Sequence, residues 1–427
     1  MARRIPLGLL PALLAVFVLA AFAAPRAGAA TDVDYGLTDD AWLLNGPGTV
    51  QDRVSELNTI GVHVVRFSLH WDQIAKTKPA TSTDPADPAY DWAADDTVLD
   101  ELHSAGIDVL LQIVGAPKWA NGGKPSNYAP LSASTFASFA TAAATKYSWV
   151  SRWLIWNEPN QVRWLRPTSP AVYTSRLLNP AYAAIHSVIA NAKVAGGGTA
   201  PRGSTGGVSP VTWLLGMHRA HAKLDAYAHN PYPLDPKRES PLKGGCTHCS
   251  TITMATLNKL VGLVTRNFPR ARIWLTEYGY QSNPPDRLLG VSPALQARYI
   301  GEGAYAAYKA PRVDLLIHFL YRDEPELARF QSGLVTLRNA KKPAYSAFQL
   351  PLAEIARHGT TVTLWGQVRA SESSEATLER KLGAAWVKVA SLSASPAGYV
   401  RWSGALPAKS VVRIRSGTIN GAPLTLT

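Results

Sequence analysis

Apolar runs alternate with helix-patterned stretches along this chain, and that alternation limits its fold more than any other feature. A first strand opens at Asp34-Tyr35-Gly36, and residues 50–60 then read as a helix with Val54, Leu57 and Ile60 on one face, stopped by Gly61. Strands follow at 62–68 and 107–114, with a helix over 97–104 between them, and the alanine-rich stretch 132–147 is a helix leading into a fourth strand at Arg152. Helices at 173–191, 211–222, 253–267 and 292–308 separate further strands at 192–197, 224–229, 271–276 and 313–320. Strands apolar on both faces, each followed by a helix, are the pattern of a covered parallel sheet. Repeated eight times, it predicts an α/β chain built on a closed (β/α)8 TIM barrel. An open doubly wound sheet is the alternative, but no glycine-rich phosphate turn follows the first strand.

Two of these strands end in the same way. Arg152-Trp153-Leu154-Ile155-Trp156-Asn157-Glu158-Pro159-Asn160 is an apolar run closed by an amide, a carboxylate and a proline that cannot continue a ladder. Ala271-Arg272-Ile273-Trp274-Leu275-Thr276-Glu277-Tyr278-Gly279 repeats the arrangement with a second glutamate. Barrel sites lie at the carboxyl ends of the strands, where both glutamates fall. Paired carboxylates are what cleavage of a glycosidic bond requires, since one protonates the leaving oxygen while the other attacks or activates water. Taken singly, each is as readily a solvated surface glutamate.

The pair Trp-Asn-Glu-Pro-Asn and Leu-Thr-Glu-Tyr-Gly resembles the acid/base and nucleophile motifs of clan A glycoside hydrolases, near families 5 and 39, the cellulase and β-xylosidase type. The resemblance spans roughly residues 31–350 and implies a retaining O-glycosidase with Glu158 as acid/base and Glu277 as nucleophile. It implies a carbohydrate substrate, a β-linked oligo- or polysaccharide, and neither metal nor organic cofactor. It further implies that Arg66 and Tyr232 hydrogen-bond the nucleophile, that Tyr278 helps tune it, that Asn157 meets the sugar 2-hydroxyl, and that His229 belongs to the site. Trp71, Trp119, Trp164 and Tyr321 lie just beyond strand ends and are candidates for stacking on sugar rings, although each alone is more often a packing residue. The stretch Tyr90-Asp91-Trp92 is also similar to these families. The strand-eight tryptophan common in the clan is missing, leaving His318, Phe319 or Tyr321 to stand in for it. A transglycosylase on the same scaffold, or a non-catalytic glycan-binding protein, would carry the same fold.

Arg3-Arg4, an apolar run to Ala24 and the small residues Ala27-Gly28-Ala29 read as a secretory signal peptide over residues 1–29. The expected product is exported and monomeric. The formal charge of +13 includes three leader arginines, Arg3, Arg4 and Arg26, leaving +10 on the remainder. Its basic residues are scattered without a nucleic-acid motif, so adhesion to an anionic cell wall is a better fit than nucleic acid. The two cysteines, Cys246 and Cys249, fit a disulfide in an oxidising compartment; a zinc site would need two more ligands, with His248 and His229 as candidates. From about residue 358 short alternating strands at 361–368, 386–389, 399–402 and 411–415 indicate a small β-sandwich after a barrel spanning 31–355. No long low-complexity linker separates the two, so the module is expected to dock.

Overall fold

The computed structural model describes residues 32–371 and 373–427, so the expected leader lies outside the described residues. Eight strands close into a barrel in chain order. They are β1 (Asp34–Thr38), β2 (Val64–His70), β3 (Asp108–Val114), β4 (Arg152–Ile155), β5 (Lys193–Thr199), β6 (Ala226–His229), β7 (Arg272–Tyr278) and β8 (Val313–Phe319). Every pairing is parallel, and β1 closes on β8 through Gly36 opposite Ile317.

Alternate side chains face opposite ways in a strand, and here both directions are covered. Val64, Leu110, Leu154, Ala195, Ala226, Ala228, Trp274, Leu315 and Ile317 point inward and plug the barrel. Their neighbours, among them Val65, Leu111, Trp153, Tyr227, Ile273 and Leu316, point outward into one large core shared with the helices. That is why the strands read as apolar runs rather than alternating ones. Gly36 is required by close approach, because a side chain there would collide with the Val64 carbonyl and Ile317.

The helix expected over 173–191 is three pieces: Pro170–Tyr173, a wider π turn over Thr174–Leu178, and Asn179–Val188. Pro180 has no backbone N–H, so one ladder bond is missing and the turn before it widens.

The carboxyl-terminal part is two antiparallel sheets over one core, as expected of a sandwich. Its first strand, β9 (Leu352–His358), pairs with β10 (Thr361–Gln367), and β11 (Glu375–Leu382), β12 (Ala385–Ser393), β13 (Tyr399–Ala405) and β14 (Val411–Ser416) follow. The boundary expected between 355 and 358 therefore falls inside β9. Pairing with β10 is what makes Leu352–His358 a strand.

The module docks beside the amino end of β1. Trp365 packs among Tyr305, Tyr308 and Tyr399, with ring centroids 5.3–5.7 Å apart, and the Val33 N–H donates to the Tyr399 hydroxyl at 3.2 Å. Arg369 lies 3.8 Å over the Tyr35 ring and donates to the Phe348 carbonyl; burial lowers its pKa to about 10. Because barrel and module share this core, Trp365→Ala should cost about 3–5 kcal/mol and lower a single calorimetric transition for the whole chain. Two separate transitions with the barrel's midpoint unmoved would show that the units fold independently.

Candidate active site

At the end of β4 the backbone leaves the sheet through two residues in the left-handed region, Trp156 (φ 68°) and Glu158 (φ 37°). Such conformations are costly for residues with a Cβ and persist only where the surroundings enforce them. Here the Trp156 N–H still donates to the Ile113 carbonyl at 2.9 Å, its indole N–H to the Trp164 carbonyl at 2.7 Å, and the Glu158 N–H to the Gly198 carbonyl at 3.0 Å. Asn160, fully buried, donates to the Val208 carbonyl and accepts from the Ala200 N–H, both at 2.9 Å. The last residue of the motif thus ties the loop after β4 to the loop after β5.

Glu158 accepts a hydrogen bond from Asn230 Nδ2 at 3.2 Å, and Asn230 Oδ1 accepts from the Thr276 hydroxyl at 2.8 Å. In β7 the register shifts between Leu275 and Tyr278, and Glu277, which strict alternation would send outward with Leu275, lines the cleft. Both its oxygens are engaged: Arg66 donates to Oε1 at 2.7 Å and the Tyr232 hydroxyl to Oε2 at 3.0 Å. The expected partners of this carboxylate, Arg66 and Tyr232, are therefore in contact with it.

The same alternation that fills the barrel builds the cleft floor. Past Val64 the inward positions of β2 are Arg66, Ser68 and His70; past Leu110 those of β3 are Gln112 and Val114; past Ile317 that of β8 is Phe319. All line one cleft of about 580 Å³, with Asp40, Asn157, Glu158, Trp164, Tyr232, Glu277 and Phe330. Asp40, Ser68, His70, Gln112 and Asn230 were not anticipated as site residues. The inward parity of each strand, read from its apolar plug residue, would have found most of them.

Five expected members, His229, Trp71, Trp119, Tyr278 and Tyr321, do not reach the cleft. His229 points outward from β6 because Ala226 and Ala228 point in; its ring bonds the Thr199 hydroxyl at 2.7 Å and the Ile252 carbonyl at 3.0 Å, and burial lowers its pKa to about 4. Trp71 is fully buried against Phe136, Phe139 and Trp119, and Trp119 donates its indole N–H to the Ala75 carbonyl. Tyr321 stacks on Trp42 at 4.0 Å and gives its hydroxyl to Glu56. Of the proposed platforms only Trp164 lines the cleft. Tyr278, past the shift in β7, turns away from Glu277 and donates to the Tyr299 carbonyl at 3.2 Å. Phe319 occupies the place of the missing strand-eight aromatic, with Tyr232 edge-on to it at 6.1 Å, whereas His318 faces outward to the Ser332 carbonyl. Tyr90 and Trp92 pack on Phe139 in the helix layer. Cys246 and Cys249 are joined as a disulfide.

The two glutamates meet opposite surroundings. Burial first, and then the charge of Glu277, push the Glu158 pKa up to about 7, against the opposing effects of Asn230, Arg66 and Trp164. The pair thus sets one carboxyl group with a raised pKa against another bonded to an arginine.

Comparison with known proteins agrees with this geometry. The family model described as cellulase (glycosyl hydrolase family 5) matches residues 29–199, from the approach to β1 through β5, and so includes Glu158 but not Glu277. No curated protein sequence matches. Among solved structures, a glucosidase from Croceicoccus marinus is similar at 16% identity and a TM-score of 0.56, covering 87% of this chain and 83% of its own. CelM2, a bifunctional glucanase-xylanase from a metagenome library, is similar at 11% and 0.53, covering 91% and 96%. SrfJ from Salmonella typhimurium is similar at 11% and 0.51, covering 89% and 91%. These structures share the fold with this chain, and the cellulase family model matches its first five barrel strands.

Because Glu158 binds its proton more tightly folded than unfolded, stability should fall as pH rises from the ordinary carboxylate range through about 7. Glu158→Gln removes that loss. Its melting temperature should exceed the wild-type value at pH 8, with the gap closing by pH 4; a gap independent of pH would contradict the assignment.

Proposed function

We propose that the protein is an exported, retaining glycosidase that cleaves a β-linked oligo- or polysaccharide by double displacement. The observation that carries this reading is one cleft holding two carboxyl groups, one with a raised pKa and one bonded by an arginine and a tyrosine. In the first step a Glu277 oxygen attacks the anomeric carbon while the Glu158 proton passes to the departing glycosidic oxygen. A glycosyl ester on Glu277 and a free alcohol result. In the second step Glu158, now a carboxylate, takes a proton from water, whose oxygen attacks the anomeric carbon and releases Glu277. Asn230 keeps Glu158 in place through both steps, and Arg66 and Tyr232 supply donors to Glu277 when it departs as a carboxylate. Ser68, His70, Gln112 and Asn157 are placed to meet sugar hydroxyls, and Trp164, Phe319 and Phe330 to meet the apolar C–H faces. The reading includes removal of residues 1–29 on export, a monomeric product, and adhesion of its basic surface to anionic wall polymers.

The test begins with a panel of aryl β-glycosides and polysaccharides. Glu277→Gln should abolish turnover of every substrate that the wild type accepts. Glu158→Gln should lose roughly 10²–10⁴-fold on substrates with poor leaving groups, while dinitrophenyl glycosides still form the glycosyl-enzyme. Azide, which needs no base, should restore turnover to Glu158→Ala and give a glycosyl azide of retained configuration. Inverted azide product from that variant would exchange the two roles.

The acid must be protonated to act, so kcat/KM should fall as pH rises through about 7, the value at which Glu158 titrates. That basic limb should vanish in Glu158→Ala with an activated substrate. A limb that persists there belongs to another group.

A further inference from the structure

The proposed glycosidase reading leaves open what lies on the far side of the cleaved bond. The cleft's charges bear on that question. Its acidic lining residues are Asp40, Glu158 and Glu277, and its arginines are Arg66, Arg163 and Arg202. Arg66 is buried and paired with Glu277. Arg163 and Arg202 are exposed at the rim, and among the described residues neither forms an ion pair.

Both arginines are mounted on the acid's side of the cleft. Arg163 lies in the turn that begins at Glu158, with its guanidinium 5.5 Å from the Trp164 ring centroid. Arg202 is on the loop after β5, and its carbonyl accepts hydrogen bonds from the side chains of Asn160 and Gln161. Gln161 also accepts from the Ser204 N–H at 3.2 Å, so the two loops are stitched to each other by buried amides. The opposite wall, from the loops after β7 and β8, presents Gln281, Leu289, Phe319 and Phe330 and carries no charge besides Glu277. A general acid faces the oxygen it protonates, so side chains on its loop face the departing group.

We propose that the substrate carries a carboxylate on its leaving-group side, held by Arg163 and Arg202, which makes a uronate-bearing glycan the substrate class. Guanidinium groups match carboxylates in shape as well as charge, and Trp164 beside them offers a face for the same sugar ring.

The test compares a glucuronate-bearing xylan with the same polymer after its carboxyl groups are reduced to alcohols. Hydrolysis is followed by product release, and binding to the wild-type protein by calorimetry, at low salt and at 0.5 M NaCl. The expected result is a preference of roughly tenfold for the carboxylated polymer at low salt, mostly lost at high salt and in the double variant Arg163→Gln/Arg202→Gln. Each single variant should lose part of it, and the salt response needs no variant at all. Equal treatment of the two polymers overturns the proposal. So does a preference that survives in the double variant, or binding of dextran sulfate as tight as that of the uronate polymer, since either would reflect general attraction to a basic surface. Failure of the glycosidase reading is distinct: no polymer or aryl glycoside would be cleaved, while the calorimetric preference still decides the arginines' role.

Discussion

Two carboxyl groups that share one cleft repel each other when both are ionised, and that repulsion orders much of what surrounds them. Glu277 has Arg66 and Tyr232 on its two oxygens, whereas Glu158 has one amide donor, Asn230, and among the described residues no cation bonded to it. The asymmetry is set by the barrel. Arg66 occupies an inward position of β2 one layer above Val64, where the plug ends and water begins, and from there its guanidinium reaches the far wall at β7. Exchange the two surroundings and the roles would exchange as well. The fold positions the arginine beside Glu277, while burial and the charge of Glu277 raise the Glu158 pKa.

Barrel order was legible because both faces of every strand are buried and the helices between them are amphipathic; neither signal needs tertiary knowledge. The glutamates were legible because each ends an apolar run. Strand parity carries further information about the site. Ala226 and Ala228 face inward, which sends His229 outward to Thr199 and brings Asn230 round to Glu158. The sequence His-Asn-Pro-Tyr names all the candidates, and only parity chooses among them. Parity fails in turn at Glu277, where the register shift in β7 overrides it; no residue pattern announces that shift. The aromatics are ambiguous for a related reason. A tryptophan after a strand can turn toward the mouth or back over the helices; Trp71 turns back onto Phe136 and Phe139, and Trp119 packs edge-on to Trp71 and bonds the Ala75 carbonyl.

The β-module was visible as a change of texture, but its attachment was not. The interface is built from residues scattered over the whole chain: Val33 and Tyr35 at the start of the barrel, Tyr305 and Tyr308 on its last long helix, and Trp365, Arg369 and Tyr399 in the module. Contacts at such separation leave no local pattern. None of these residues lines the cleft.

Backbone strain is concentrated around Glu158. Trp156 and Glu158 adopt left-handed backbone conformations that a free chain would avoid, and the bonds that enforce them come from β3, from Gly198 near the end of β5 and from the turn at Trp164. Gly198, itself at positive φ, supplies the carbonyl that fixes the Glu158 N–H. The glycine-rich end of β5, which looks in the sequence like a weakened strand, is therefore what lets the neighbouring strand end turn its carboxyl group into the cleft. A regular, β-branched fifth strand would pair better with β4 but could not follow this path at Gly197 and Gly198. The barrel accepts weaker pairing at β5 so that β4 can present Glu158.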